Sequence, residues 1–452
     1  MQQRSRSARL VCSSCLAMLA VGANSTAIMA ALPDMSAELS LSANGVQWAV
    51  NAYLVVSAVF IVLAGQAADW FGARRVSMSG LALFAGSSCI IAVADTQVAL
   101  LAGRALQGLA AAFAVPGTLA AVDRGVAPER RSAAVGAWTG FLMLGFSIGP
   151  LLGGALTHFT GWRAIFWVNV ALMLAAMAGL AAARMAPVAV QDQRRRQADW
   201  MGFGLLATMM VSLVFGLHEV PDAKAAPLFA FGPFAAAGVA LVLLLQVESR
   251  AEAPLVELAF FGRAPFVVGL AIASLSMFSI MSLLLYFNLY AQGAGGLGLT
   301  ALEAGAALLP LSVAQLALAL AAPAVSAWLG LRNAMTAGMA VIAVAAVVLA
   351  VGSAHTVAAH AMIPLGVGFL LMGAGLAVPY ALAPRLALSA LPPGQAGQGS
   401  GLVNAATFLG GSAGVAGGAI AHGLGGLRAV LIMIALAGVT GALLSRAIAE
   451  KS

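Results

Sequence analysis

The stretch "GQAADWFGARR" (Gly65–Arg75) contains one acidic residue, two arginines and two glycines between two long apolar runs. The run before it is "VQWAVNAYLVVSAVFIVLA", and the run after it is "VSMSGLALFAGSSCIIAVA". Each is close to the roughly 20 apolar residues that a helix needs to cross a bilayer. The stretch therefore indicates a short polar turn between two membrane-spanning helices.

The composition extends this interpretation to the whole chain. Of the 452 residues, 62% are hydrophobic and 8% are charged, whereas soluble domains have about 25% charged residues. The predicted fold class is therefore an all-α polytopic membrane protein with 14 transmembrane helices. The first apolar run is longer than the core of a signal peptide, which indicates an uncleaved span. The fourteen runs are 10–32, 46–68, 76–95, 98–122, 133–157, 163–183, 200–217, 228–247, 265–291, 303–328, 333–353, 358–382, 400–423 and 426–447.

The basic residues are spread along one side of the predicted membrane. With a cytoplasmic N-terminus, 18 of the 22 basic residues fall in inner segments, 3 in outer segments, and Arg104 inside a span. The positive-inside rule favours this orientation, with both termini on the cytoplasmic side of the membrane. A membrane-flanking layer of charge also excludes a nucleic-acid partner and indicates contact with lipid.

The chain repeats itself at a long interval. A shift of 265 residues places Gly145 on Gly410 and Gly149 on Gly414, and a shift of 258 residues places Gly72 on Gly330. Two related halves in the same orientation are typical of two-bundle transporters. The predicted organisation is a six-span bundle over 1–183, a linker with two additional spans over 184–264, and a second six-span bundle over 265–452. The charged run that opens the linker is interpreted as a solvated connection.

The fifth run contains a spaced set of glycines. Gly145, Gly149 and Gly153 recur every four residues and form one smooth helix face, on which another helix can pack at backbone distance. Pro150 removes a backbone donor and kinks the helix. This face either seals the pore toward the outer side or simply packs two helices tightly. The two interpretations are compatible, because a sealed pore is itself a tightly packed helix pair.

These motifs together resemble the major facilitator superfamily, and within it the 14-span drug:proton antiporters. "GQAADWFGARR" is similar to the superfamily's loop motif, "AGRALQGLAAA" to its fourth-span motif, and "GFSIGPLLGG" to the antiporter motif of span five. Ala73 stands where the loop motif has a basic residue. The resemblance implies that gating depends on the following residues: Gly65, Asp69, Gly72, Arg74, Arg75, Asp123, Gly145, Gly149, Pro150, Gly153 and Gly154.

Arg104 is the most informative single residue, because a cation inside a span costs about 2.5–3.5 kcal/mol or more and is functional by default. Gln107 lies one turn further along the same face, and the resemblance places Asn24, Ser25 and Thr26 opposite it. Further candidates for binding or coupling are polar residues in the spans. For each of them, an interhelical hydrogen bond is an equally good interpretation. They are Trp138, Tyr286, Asn288, Gln315, Tyr380 and Asn404.

The resemblance implies a secondary transporter that exports small amphipathic or toxic organic compounds, with protons as coupling ions and a monomer as the unit. The alternatives are an uptake symporter or facilitator, and a transport-inactive scaffold or sensor. The chain has no phosphate-binding Gly-Lys loop and no metal-ligand cluster in its spans, so no cofactor, metal or enzymatic activity is expected.

The antiporters that the chain resembles usually have an Asp in span one where this chain has Asn24, and an amide cannot carry a proton. Two hypotheses follow. Asp34, at the outer end of the same span, carries the proton from a shallower site. Alternatively, Arg104 lacks a fixed counter-charge and takes an anionic substrate as its partner, because a buried cation needs one. The second hypothesis is favoured.

Overall fold

The computed structural model describes residues 2–183, 199–223, 226–251, 254–293, 295–353, 358–392 and 395–448. The charged run at 184–198, which was interpreted as a linker, lies outside the described residues. The chain divides into two compact units, Met1–Ala198 and Asp199–Ser452. The two predicted additional spans thus belong to the second unit.

The described residues of the first unit form six helices connected by short turns. Ser42 and Thr96 cap two of them by accepting hydrogen bonds from the backbone N–H groups of Gly45 and Ala99, which satisfies donors that a helix start leaves unpaired. Gly72 ends one helix and begins the next with φ +88°, a left-handed conformation that favours glycine. The six helices are α1 (Gln2–Leu39), α2 (Ala43–Phe71), α3 (Ala73–Ala92), α4 (Gln97–Gly125), α5 (Pro128–Thr160) and α6 (Arg163–Ala182).

The second unit is also helical. Two short 3-10 helices, Val220–Asp222 and Leu258–Gly262, lie in its connections. Its α-helices follow in the order α7 (Trp200–Glu219), α8 (Pro227–Glu248), α9 (Ala264–Gln292), α10 (Ala301–Ala307), α11 (Leu309–Leu329), α12 (Leu331–Gly352), α13 (Ala358–Ser389) and α14 (Ala396–Ser445).

Every predicted apolar run lies on a helix. The tenth run covers α10 and α11 together, and the last two runs share the continuous stretch of α14. Within α14, Gly425 and Gly426 have non-helical dihedral angles and separate two helical segments. The described residues therefore contain 13 helical stretches long and apolar enough to cross a membrane, and the chain is a multi-pass membrane protein.

The predicted glycine face of α5 packs directly on α1. A Cβ atom added at Gly145 or Gly153 would collide with the α1 backbone at Leu19 or Ala27. At Gly149 it would lie 2.8 Å from the carbonyl oxygen of Ala23. The two backbones thus approach to a distance that only glycine permits, which is how small residues associate helices in membranes.

The same pairing recurs in the second unit. Cβ atoms added at Gly410 and Gly414 of α14 would collide with the α9 backbone at Ser274 and Phe278. The other helix pairs also correspond, because α4 packs on α2 and α3 just as α13 packs on α11 and α12. The repeat in the sequence is therefore a repeat in packing within each unit.

We expect Gly149→Leu to destabilise the protein by about 1–3 kcal/mol, because overpacking at backbone distance forces α1 and α5 apart. Thermal unfolding of the purified protein in detergent measures this. Gly140→Leu is the matched control, since Gly140 lies on the same helix with no atom within 4 Å of an added Cβ. Equal unfolding temperatures for the two variants would contradict the packing described here.

Candidate functional site

Arg104 of α4 is fully buried within the first unit. Its Nε donates a hydrogen bond of 2.7 Å to the carbonyl oxygen of Ala49 on α2, and one terminal nitrogen donates to Oε1 of Gln107. Its guanidinium carbon lies 4.7 Å from the ring centroid of Tyr53 on α2. The cation is thus held by two neutral acceptors and the face of an aromatic ring.

Gln107 connects Arg104 to three further helices. Its Oε1 also accepts a 3.2 Å hydrogen bond from Nδ2 of Asn24 on α1, and its Nε2 donates at 2.9 Å to Ser88 on α3. Asn24 in turn accepts a 2.8 Å hydrogen bond from Nδ2 of Asn169 on α6. We call this connected set the Arg104 network; its side chains are Asn24, Tyr53, Ser88, Arg104, Gln107 and Asn169.

Three members of the network were not among the candidates taken from the sequence. Tyr53, Ser88 and Asn169 are all buried, and each comes from a helix other than α4. Asn169 was the most accessible to prediction, because it is a lone amide in the apolar run of α6. Two of the residues predicted opposite Arg104 have different surroundings. The hydroxyl of Ser25 lies 3.3 Å from that of Tyr53, next to the network, whereas Thr26 donates to the carbonyl of Phe146 on α5.

The network contains no acidic side chain. Among the described residues no carboxylate forms an ion pair with Arg104, and Asp34, the nearest acid along α1, is exposed ten residues beyond Asn24. The positive charge is therefore stabilised only by dipoles and by the Tyr53 ring. A buried cation with neutral partners is held at a higher free energy than one paired with a carboxylate.

Trp138 lies apart from the network. Its indole N–H donates a 3.1 Å hydrogen bond to Oγ1 of Thr118 and ties α5 to α4. Thr118 is 14 residues beyond Arg104 on α4, which corresponds to about 21 Å along a helix. Trp138 of α5 therefore contacts α4 near its C-terminal end, whereas Arg104 lies near the N-terminal end of α4.

The two asparagine candidates of the second unit form hydrogen bonds within their own helices. The amides of Asn288 and Asn404 donate to carbonyl oxygens one turn back on their own helices, at Leu284 and Ser400. Their hydrogen-bonding capacity is thus used partly within one helix instead of between helices.

The other candidates of the second unit lie on α9, α11 and α13. The hydroxyl of Tyr286 donates at 2.8 Å to the carbonyl of Val415, and its ring stacks on His422. Gln315 is buried on α11, and Tyr380 is half-buried on α13. The pairing of Tyr286 with α14 joins the two helices that the glycine face already brings together.

Two polar contacts join helix ends around Gly72. Arg74 donates a hydrogen bond to the carbonyl oxygen of Ala181 at the end of α6, and Asp123 pairs at 3.4 Å with Arg131, in the first turns of α5. The gating role of Arg74 and Asp123 stays a prediction. These groups still join the ends of several helices at one surface.

The remaining gating candidates lie on the helix ends around Gly72 and on α5. Arg75 is exposed, and a Cβ at Gly65 would meet no atom within 4 Å. Pro150 and Gly154 are buried on α5. The side chain of Asp69 lies outside the described residues, so its assigned role stays a prediction. The described residues hold no group of three His, Cys, Asp or Glu side chains placed to bind a metal.

A family model supplies the class of protein. The model for the Major Facilitator Superfamily matches residues 14–415, which is most of the chain. The chain belongs to this superfamily, whose members are membrane transporters and not enzymes.

Several relatives resemble the chain over most of its length. It is 32% identical to the tetracenomycin C resistance and export protein of Streptomyces glaucescens over 404 residues, covering 88% of this chain and 73% of that protein. It is 28% identical to the multidrug resistance protein Stp of Mycobacterium tuberculosis, covering 85% and 70%. It is 29% identical to a probable actinorhodin transporter of Streptomyces coelicolor, covering 86% and 68%.

A solved structure agrees with the fold. A crystal structure of the peptide transporter POT in complex with sulfate superposes with a TM-score of 0.70, covering 97% of this chain and 93% of that one. Sequence identity to it is 16%, so the likeness concerns the fold alone.

We expect Gln107→Leu to destabilise the protein by about 1–3 kcal/mol, because Arg104, Asn24 and Ser88 each lose one buried hydrogen bond. Thermal unfolding measures the loss. Gln97→Leu, the same substitution at the partly exposed start of α4, is the control and should cost less. Adding Arg104→Met to Gln107→Leu should recover part of the stability, because no unpaired cation remains. Unchanged stability in Gln107→Leu would contradict the network.

Proposed function

We propose that this protein exports small, toxic organic compounds of the antibiotic type across the bacterial inner membrane. The observation that carries the proposal is the match over most of the chain to relatives named for antibiotic or multidrug export. The complete glycine and proline pattern of α5 supports it, because that pattern is the one in which the chain resembles antiporters.

The proposed architecture has 14 spans. The two helical segments of α14, separated at Gly425 and Gly426, are then two spans, which brings the number of spans from 13 to 14. Two six-helix bundles, 1–183 and 265–452, are joined by the linker and two additional spans of 184–264. The recurrence of helix pairs supports the two-bundle arrangement. An even number of spans places both termini on the cytoplasmic side, where the arginine-rich segments favour them.

The proposed mechanism is alternating access by a monomer driven by an ion gradient. In it, the close contact of α5 with α1 seals one side, and the arginines around Gly72 hold helix ends together on the other side. Asp69 is the acid assigned to that second contact. Each contact must break in one of the two access states, so both are gating elements and not merely packing.

The coupling step is proposed to depend on Arg104. The acid that related antiporters usually have in span one is replaced here by Asn24, which hydrogen-bonds to the same Gln107 oxygen as Arg104. Because neither amide can titrate, protons would have to be carried elsewhere, as by Asp34. We favour the alternative in which the unpaired positive charge of Arg104 is matched by an anionic group of the substrate.

Export is tested by expressing the protein in a bacterium that lacks its own drug pumps and growing it on a broad panel of drugs and metabolites. Raised tolerance should be followed by ion-gradient-driven uptake of the same compound into inside-out vesicles. Raised sensitivity would indicate import instead. A protein that inserts normally but moves none of the panel would favour a scaffold or sensor.

We expect Arg104→Ala to abolish transport of anionic compounds and Asn24→Asp to weaken it, because an internal carboxylate then competes for the same cation. Arg428→Ala, which removes an exposed arginine of α14, is the control and should transport normally. Flux of anionic and cationic compounds is measured in vesicles with and without a pH gradient. Strong pH-driven export of cations that survives Arg104→Ala would exclude the anion hypothesis.

A further inference from the structure

A second buried ionisable site lies in the second unit, in the pair of helices α7 and α8 that the proposed architecture adds to two six-span bundles. Glu248, the last residue of α8, is only 4% exposed, and neither of its carboxyl oxygens accepts a hydrogen bond of normal geometry. A buried carboxyl that has neither a cation nor a hydrogen bond of normal geometry is costly when ionised. It is therefore unusual enough to need a ligand or a proton.

A second carboxyl faces Glu248 at the start of α7. Asp199 caps this helix, and its Oδ1 accepts a 2.7 Å hydrogen bond from the backbone N–H of Gly202. Its other oxygen, Oδ2, is buried without a partner. Both Asp199 Oδ2 and Glu248 Oε1 lie 2.6 Å from the position that a Cβ on Gly202 would occupy. The distance between Asp199 Oδ2 and Glu248 Oε1 is therefore at most twice 2.6 Å.

Among the described residues, no cation forms an ion pair with either carboxyl. The charged groups of the described part of the chain that act on Glu248 are Asp199 and Glu257, and both are acidic. Arg446, at the end of α14, forms no ion pair with either carboxyl in the described part of the chain. The backbone N–H groups of Leu255 and Val256 lie beside Glu248 and offer it weak hydrogen bonds, but they carry no net charge. Two carboxylates this close, without a cation, cannot both be ionised at low cost.

We propose that Glu248 and Asp199 form a proton-binding site that holds one proton between the start of α7 and the end of α8. A proton needs only two facing oxygens, whereas hard metal cations take six or more oxygen ligands. Among the described residues no third acid or His completes a metal site here. Because α7 and α8 pack on each other, the bound proton fastens the ends of this helix pair, and its loss puts two negative charges in contact.

The proposal does not depend on export, and it is tested on the purified full-length protein without substrate. Infrared difference spectra between mildly acidic and mildly alkaline buffer report a protonated carboxyl by its C=O stretch. The wild type should show this band and lose it on alkalinisation. Glu248→Gln should remove the band. Asp199→Asn, which still caps α7, should shift its loss to lower pH, because the repelling charge is gone.

Thermal unfolding provides the second readout. Because the folded protein then holds a proton that an exposed carboxylate would release, stability should fall as the pH rises. We expect the unfolding temperature of the wild type to drop by about 2–4 °C between the two buffers. The drop should be absent in Glu248→Gln. Glu219→Gln, which removes a carboxyl from the opposite end of α7, should keep the wild-type drop and the wild-type band.

Three results would overturn the proposal. The first is a wild type without the protonated-carboxyl band, and the second is a band and a pH profile that Glu248→Gln leaves unchanged. The third is an unfolding temperature that depends, at constant pH, on sodium, potassium or magnesium and loses this dependence in Glu248→Gln. That result would assign the site to a metal cation instead of a proton.

Discussion

The burial of one guanidinium sets the constraint around which the first unit is organised. Arg104 is shut off from solvent in an apolar interior, where every donor must find an acceptor. The acceptors and their supports come from five of the six helices: α1, α2, α3, α4 and α6. The sixth, α5, fixes α1 through glycines at backbone distance. The position of each helix is therefore coupled, directly or through one neighbour, to a single cation.

This arrangement connects packing with function. A gate that moves α1 or α4 changes the hydrogen bonds of Gln107, which serves Asn24, Ser88 and Arg104 at once. The network has no charge to neutralise Arg104, so an anion that enters would be stabilised by it. The second unit repeats the helix pairing but has no buried arginine among its described residues, so the two units are similar in packing and different in chemistry.

The sequence was sufficient to predict the helices and the glycine face. Apolar length determines a span, and four-residue glycine spacing determines a smooth face; both are local properties. Asn24, Gln107 and Arg104 were also grouped correctly, since helical spacing and family resemblance place them together. Asn169 and Ser88 were not predicted, because the partner of a polar residue in a span depends on how distant helices turn toward each other. Asn288 and Asn404 illustrate the same limit, since their amides donate within their own helices.

The central claim is that position 24 is where a counter-charge to Arg104 is missing. The most direct measurement is the unfolding temperature of Asn24→Asp at neutral and acidic pH, with and without Arg104→Met. The introduced carboxylate should stabilise the protein at neutral pH, acidification should remove this gain, and Arg104→Met should abolish it. Destabilisation by Asn24→Asp at both pH values, whether or not Arg104 is present, would show that Arg104 does not lack a counter-charge at this position.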